Sequence, residues 1–146
     1  MLNESLPMKG ELTITLLDNE GNVKDFRDVK NLIVQVGKNF VANALISSST
    51  SPFTHMAIGT SGTAAANGDT TLGAEIARQA FTSSSVSTNV VTLSTTYAAG
   101  TGTGTLQEAG IFNASSSGTM LSHVVFSSIS KAAADSLVIT WTITAG

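Results

Sequence analysis

The chain has no cysteine in its 146 residues, which excludes disulfide frameworks, thiolate metal sites and cysteine nucleophiles together. Charge is scarce as well. Charged residues make up 12% of the chain, about half of the roughly 25% that soluble proteins carry. The net charge of −3 provides no basic field for phosphates, so nucleic acid is not an expected partner. No window approaches the roughly 18 uninterrupted apolar residues of a membrane span, so no membrane partner is expected either. Met1 to Lys9 holds polar and acidic residues where a signal peptide has a basic start and an apolar core, and the protein is expected to be soluble where it is made. In place of charge stand 39 serines and threonines, while the hydrophobic share, 42%, is ordinary. A single domain with a normal core and a polar, weakly charged surface follows.

The charge that exists is unevenly placed. Residues 1–40 hold 11 of the 17 charged groups, and the other 106 residues hold six. A monomer usually spreads charge over its surface for solubility, so a body this neutral reads as one that faces other subunits. Residues 1–36 accordingly read as an N-terminal hairpin arm and 37–146 as a packed body.

Glu11 to Leu16 alternates polar and apolar, with Leu12, Ile14 and Leu16 on one face, as a half-buried strand requires. Asp18 to Asn22 supplies a turn, and a second extended run from Val23 to Val36 completes a hairpin. Gly37 ends that run. Lys38 to Ile46 then places Phe40, Val41, Ala44 and Leu45 on one helical face, the single helix expected. Further strands are expected at Thr54–Ile58, Ser85–Tyr97, Leu106–Asn113, Met120–Ile129 and Leu137–Ile143, with a helical turn leading into an extended run at Glu75–Phe81. Gly59–Gly73 reads as a long loop turning at Asn67, Gly68 and Asp69. Seven or eight short strands at roughly ten-residue spacing predict an all-β fold, a single-domain β-sandwich or jelly-roll-like body with an N-terminal β-hairpin arm.

No motif for a reaction stands out. Gly59-Thr60-Ser61-Gly62 lacks the Gly-Lys of a phosphate-binding loop and reads as a turn. Gly100, Gly102 and Gly104 do not open a helix in a βαβ unit, so they read as a link and not a dinucleotide fingerprint. His55 and His123 each lack a second metal-type side chain within four positions, and no metal or other cofactor is expected. One exception is symmetry: three copies meeting on an axis would bring three equivalent histidines together. There is no Gly-x-Ser-x-Gly elbow for a serine nucleophile. Glu75 and Glu108 lie between apolar stretches, as a general acid and base would. Arg78, three residues from Glu75, makes the stronger reading an internal polar cluster of Glu75, Arg78 and Glu108.

Several segments in order carry a resemblance: Lys9 to Leu16, Asn31 to Phe40, His55 to Thr60 running on to Leu72, Glu75 and Arg78, then Glu108 to Asn113, and the ending Ile139 to Ile143. Over roughly residues 9 to 144 the chain resembles small virion structural proteins of tailed bacteriophages, of the capsid cement or decoration type. The pattern is also similar to tail-fibre attachment modules. The resemblance implies a β-rich, non-enzymatic homotrimer on the capsid surface, made in the host cytoplasm. Its partners would be the major capsid protein and other copies of itself. It carries over no catalytic residue. In that setting Lys9, Glu11, Lys24, Arg27 and Lys30 are the expected capsid-contacting residues of the arm. The alternative is a tail or tail-fibre adaptor in host attachment, but a fibre protein would usually continue into a repetitive shaft, which favours the capsid.

Overall fold

The computed structural model describes residues 8–47 and 50–145. Among the described residues ten strands and one helix follow in the order β1 (Met8–Leu17), β2 (Val23–Lys30), β3 (Leu32–Ile33), α1 (Gln35–Ala44), β4 (His55–Gly59), β5 (Glu75–Ala80), β6 (Ser83–Ser87), β7 (Val90–Tyr97), β8 (Gly104–Phe112), β9 (Met120–Lys131) and β10 (Ser136–Ala145). They form two antiparallel five-stranded sheets, β2-β1-β10-β7-β6 and β3-β9-β8-β4-β5. The expected all-β sandwich is the observed architecture. Among the described residues no helix is long and apolar enough to cross a membrane.

Alternation builds the core. Leu12, Ile14 and Leu16 of β1 stand opposite Trp141, Ile139 and Leu137 of β10, and Leu93 and Tyr97 of β7 continue the same inner face. The second sheet answers with Met56, Ile58, Leu106, Ile111, Val124 and Ile129. Each fully buried Leu or Ile contributes about 1.5–3 kcal/mol through the area it removes from water. The Tyr97 hydroxyl donates to the Met56 carbonyl across the two layers, and burial pushes its phenol well above the ordinary value.

The N-terminal hairpin forms, but the reading of residues 1–36 as an arm needs correction over the part that is described. β1 lies inside the first sheet, paired with β10 along its whole length and with β2 on its other side. Three residues with at most 3% exposure fix it there, Leu12, Ile14 and Leu16. Residues 1–7 lie outside the described residues.

Smaller differences have local causes. The helix starts at Gln35, before Gly37, because Gly37 is its point of closest approach to the second sheet: a Cβ there would lie 2.4 Å from the Leu121 carbonyl oxygen. The run from Ser85 to Tyr97 is two strands, β6 and β7, reversed where Thr88 takes φ 57° and Asn89 follows. Glu75–Phe81 has no helical turn, since Glu75 already pairs with Gly59.

Candidate functional site

The loop from Thr60 to Ala74 crosses the outer face of the second sheet and is held there by a buried carboxylate. Glu108 sits on β8 just after a register irregularity, opposite Gly59 of β4. It is fully buried. Its Oε2 accepts from the amides of Ser61 (3.0 Å) and Ala74 (2.7 Å), and its Oε1 from the amide of Gly73 (2.8 Å). Both ends of the loop are thereby fastened to one side chain. Gly59 makes room for it, because a Cβ there would stand 2.5 Å from both Glu108 Oε2 and the Ala74 carbonyl oxygen.

His123 extends the cluster. It lies on β9 opposite Gly110, only 4% exposed. Its Nε2 is 3.0 Å from Glu108 Oε1 and its Nδ1 is 2.7 Å from Asp69 Oδ2. The ring thus bridges two carboxyl groups, one at each nitrogen. Asp69 also accepts the Ala66 amide at 2.8 Å. That amide and the His123 contact hold its carboxyl below the ordinary value. Leu72 packs beside them with Phe112, Met120, Ala57 and Val34, a second small apolar cluster beneath the loop.

Glu75 and Arg78 form a separate pair on β5. The Arg78 Nε and Nη2 donate to the two Glu75 oxygens at 3.0 and 2.7 Å, and Nη1 donates to the Ala114 and Ser117 carbonyls. The guanidinium carbon lies 3.8 Å from the centre of the Phe112 ring, a cation–π arrangement. The expected polar cluster therefore divides: Glu75 and Arg78 meet, while Glu108 is taken by the loop amides and His123. Contacts across β8, β9 and the loop were not visible in sequence spacing. The available signals were one acid and one histidine isolated in apolar strands, next to a glycine-rich loop.

At one end of the sandwich Lys131 is 1% exposed, and its Nζ donates to the carbonyls of Ala98 (3.2 Å) and Asp135 (2.7 Å). Desolvation lowers its ammonium pKa. Asp135 accepts from Lys24 Nζ at 2.7 Å and from the Ala132 amide at 2.9 Å, and its carboxyl is held below the ordinary value by these two bonds. Arg27 pairs with Asp25 and donates to the Ser127 and Ser128 carbonyls, tying β2 to β9. Of the five residues expected to contact a capsid, Lys24 and Arg27 are thus engaged within the molecule. Lys9, Glu11 and Lys30 are exposed together around a shallow recess of about 570 Å³ at one corner of the first sheet.

The chemistry open to these groups is narrow. Both Glu108 oxygens and both His123 nitrogens are occupied within the chain, and each Glu75 oxygen accepts from Arg78 on an exposed strand. The Ser61 amide, which a phosphate-binding turn would offer to a ligand, points at the chain's own Glu108. His55, half-buried on β4, contacts Thr54 Oγ1 at 2.7 Å. Among the described residues no group of three His, Asp or Glu side chains is arranged to hold a metal ion. Comparisons with protein families, curated proteins and solved structures found no match to this chain.

Proposed function

We propose that this chain is a non-enzymatic capsid decoration protein of a tailed bacteriophage, which binds the outer surface of the head and bridges neighbouring major capsid subunits. The observation that supports this reading is that the charges of the body are partnered within the chain. Beyond residue 40 the charged residues are Asp69, Glu75, Arg78, Glu108, Lys131 and Asp135. Every one is held by hydrogen bonds or an ion pair within the chain.

The body therefore turns a neutral surface outward. On the outer face of the first sheet Thr13, Thr140, Ser94 and Ser83 form one row across four strands, ending at Asp28 of β2, and Thr142, Thr92 and Ser85 form the next, which continues into Glu11 and Lys30. Covering a hydroxyl that finds a new partner costs far less than stripping water from a charge. Contacts made by such a face are also little weakened by salt. The mechanism is mass action: a protein that binds only the assembled shell stabilises it by the free energy of occupying its sites, and many symmetric copies multiply a modest contact.

Quantitative mass spectrometry of purified virions of the encoding phage tests the reading. Hundreds of copies per particle are expected. A handful would instead support the tail or tail-fibre adaptor, and absence from the particle would overturn both.

A further inference from the structure

We propose that Asn67 is a site of spontaneous deamidation, in which the Gly68 amide closes a succinimide ring on the Asn67 side chain, and that the isoaspartate formed there loosens the loop from Thr60 to Ala74. This inference is independent of any capsid role. Asparagine reacts in this way most readily where glycine follows it, because a Cβ on the following residue would crowd the ring as it closes. Of the nine asparagines in the chain, only Asn67 is followed by glycine.

The fold leaves the reacting atoms accessible. Ala66 to Asp69 form a turn closed by the Asp69 amide on the Ala66 carbonyl at 3.0 Å, with Asn67 and Gly68 exposed at its centre. The Gly68 amide, which supplies the nucleophile, donates no hydrogen bond among the described residues. The Asn67 carboxamide makes two contacts of 3.4 Å, from Lys38 Nζ to its Oδ1 and from its Nδ2 to Gln35 Oε1. Both are longer than the about 2.7–3.2 Å of a firm bond, so the side chain is lightly held. Lys38 also sets a positive charge beside the oxygen on which negative charge collects during attack. Asn19 and Asn22 are exposed as well, but they precede Glu20 and Val23, and Asn22 is bonded to Asp18.

The reaction balances with water as its one co-reactant. The Gly68 amide gives up its proton and its nitrogen bonds to Asn67 Cγ; the bond from Cγ to Nδ2 breaks, and the amino group leaves with that proton as ammonia. Water then opens the ring. Cleavage at Cγ gives aspartate, whereas cleavage at the Asn67 main-chain carbonyl carbon gives isoaspartate, whose main chain is one methylene longer.

That methylene falls where the loop is fastened. The Asn67 carbonyl accepts the Gln35 amide, the first of α1, at 2.8 Å, and α1 has no side-chain cap to replace it. Asp69 Oδ2 accepts the Ala66 amide and meets His123 Nδ1. A longer main chain between Ala66 and Asp69 does not keep the turn and these contacts together. Conversion therefore frees the middle of the loop from α1 and from the Glu108 cluster.

The test holds the folded chain in mildly alkaline buffer, digests it with trypsin and uses electron-transfer fragmentation to separate isoaspartate from aspartate. The peptide 39–78 should gain about 1 Da at Asn67, ahead of every other asparagine in the chain, with isoaspartate among the products. Gly68→Ala places its Cβ in open space at a residue without positive φ, so it should fold as the parent does and convert roughly tenfold more slowly. After conversion, hydrogen exchange at the Gln35, Ala66 and Asp69 amides should quicken by about tenfold or more. An unconverted Asn67, a Gly68→Ala variant that reacts as fast as the parent, or unchanged exchange at those amides after conversion would overturn the proposal.

Discussion

At the scale of single residues, Glu108 decides the most. It is a fully buried carboxyl group that satisfies three loop amides and meets one ring nitrogen of His123, so its removal strands all of them at once. Glu108→Ala should cost about 3–5 kcal/mol, since three amides lose their acceptor at about 1–3 kcal/mol each, read as a lower urea midpoint. Hydrogen exchange at Ser61, Gly73 and Ala74 should quicken in the same variant; unchanged protection there would contradict the role assigned to this side chain. Gly59→Ala drives a methyl into the Ala74 carbonyl and the Glu108 carboxylate, and about 1–3 kcal/mol of overpacking cost is expected, measurable as a fall in Tm. The sequence marked Glu108 as an acid that must be satisfied but assigned it the wrong neighbour. Arg78 is near Glu75 in the chain, whereas Asp69 and His123 reach Glu108 only through the crossing of the loop over β8 and β9.

At the scale of elements, the periodicity of two was legible wherever a strand buries one face. β1 and β10 could be read directly because Leu12, Ile14, Leu16 and Leu137, Ile139, Trp141 alternate with threonines and other polar or small residues. The β6–β7 reversal was not legible, since Ser87, Thr88 and Asn89 include no glycine or proline and the positive φ falls on a threonine. Charge density alone suggested an arm, although the apolar face of β1 already required a partner sheet. Deleting residues 1–36 should therefore remove the cooperative unfolding transition altogether; a truncated chain that still melts cooperatively would contradict the central position of β1. The turn between β9 and β10 is held by Asp135, whose carboxyl is depressed from its ordinary 3.8 by Lys24 first and the Ala132 amide second. A depressed carboxyl contributes stability that is complete above its unfolded value and is lost as pH falls through the folded one. Asp69 acts in the same direction. The urea midpoint should stay level from about pH 7 to 5 and decline below about pH 4, and Asp135→Asn should make that decline shallower.

At the scale of the whole molecule, composition and structure describe one property from two sides. The shortage of charge was read from the sequence as a body that faces other surfaces. In the fold the six charged residues of that body are each paired or hydrogen-bonded within the chain, fastening a loop, an edge strand and a turn, with Glu75 still exposed on its strand. What remains outside is a sheet face rich in threonines and serines. At one corner of that same face Lys9 and Glu11 stand beside Thr144 and Thr142, with Lys30 next to Glu11, and there charge is free to orient a contact. The account's central claim is that the neutral surface binds a larger assembly, and salt dependence tests it most directly. Phage heads stripped of this protein are mixed with the purified chain and sedimented from about 0.05 to 0.5 M salt, a range over which exposed ion pairs are strongly screened. Binding that stays within about twofold across the series is predicted; no binding, or a loss of tenfold or more as salt rises, would contradict it.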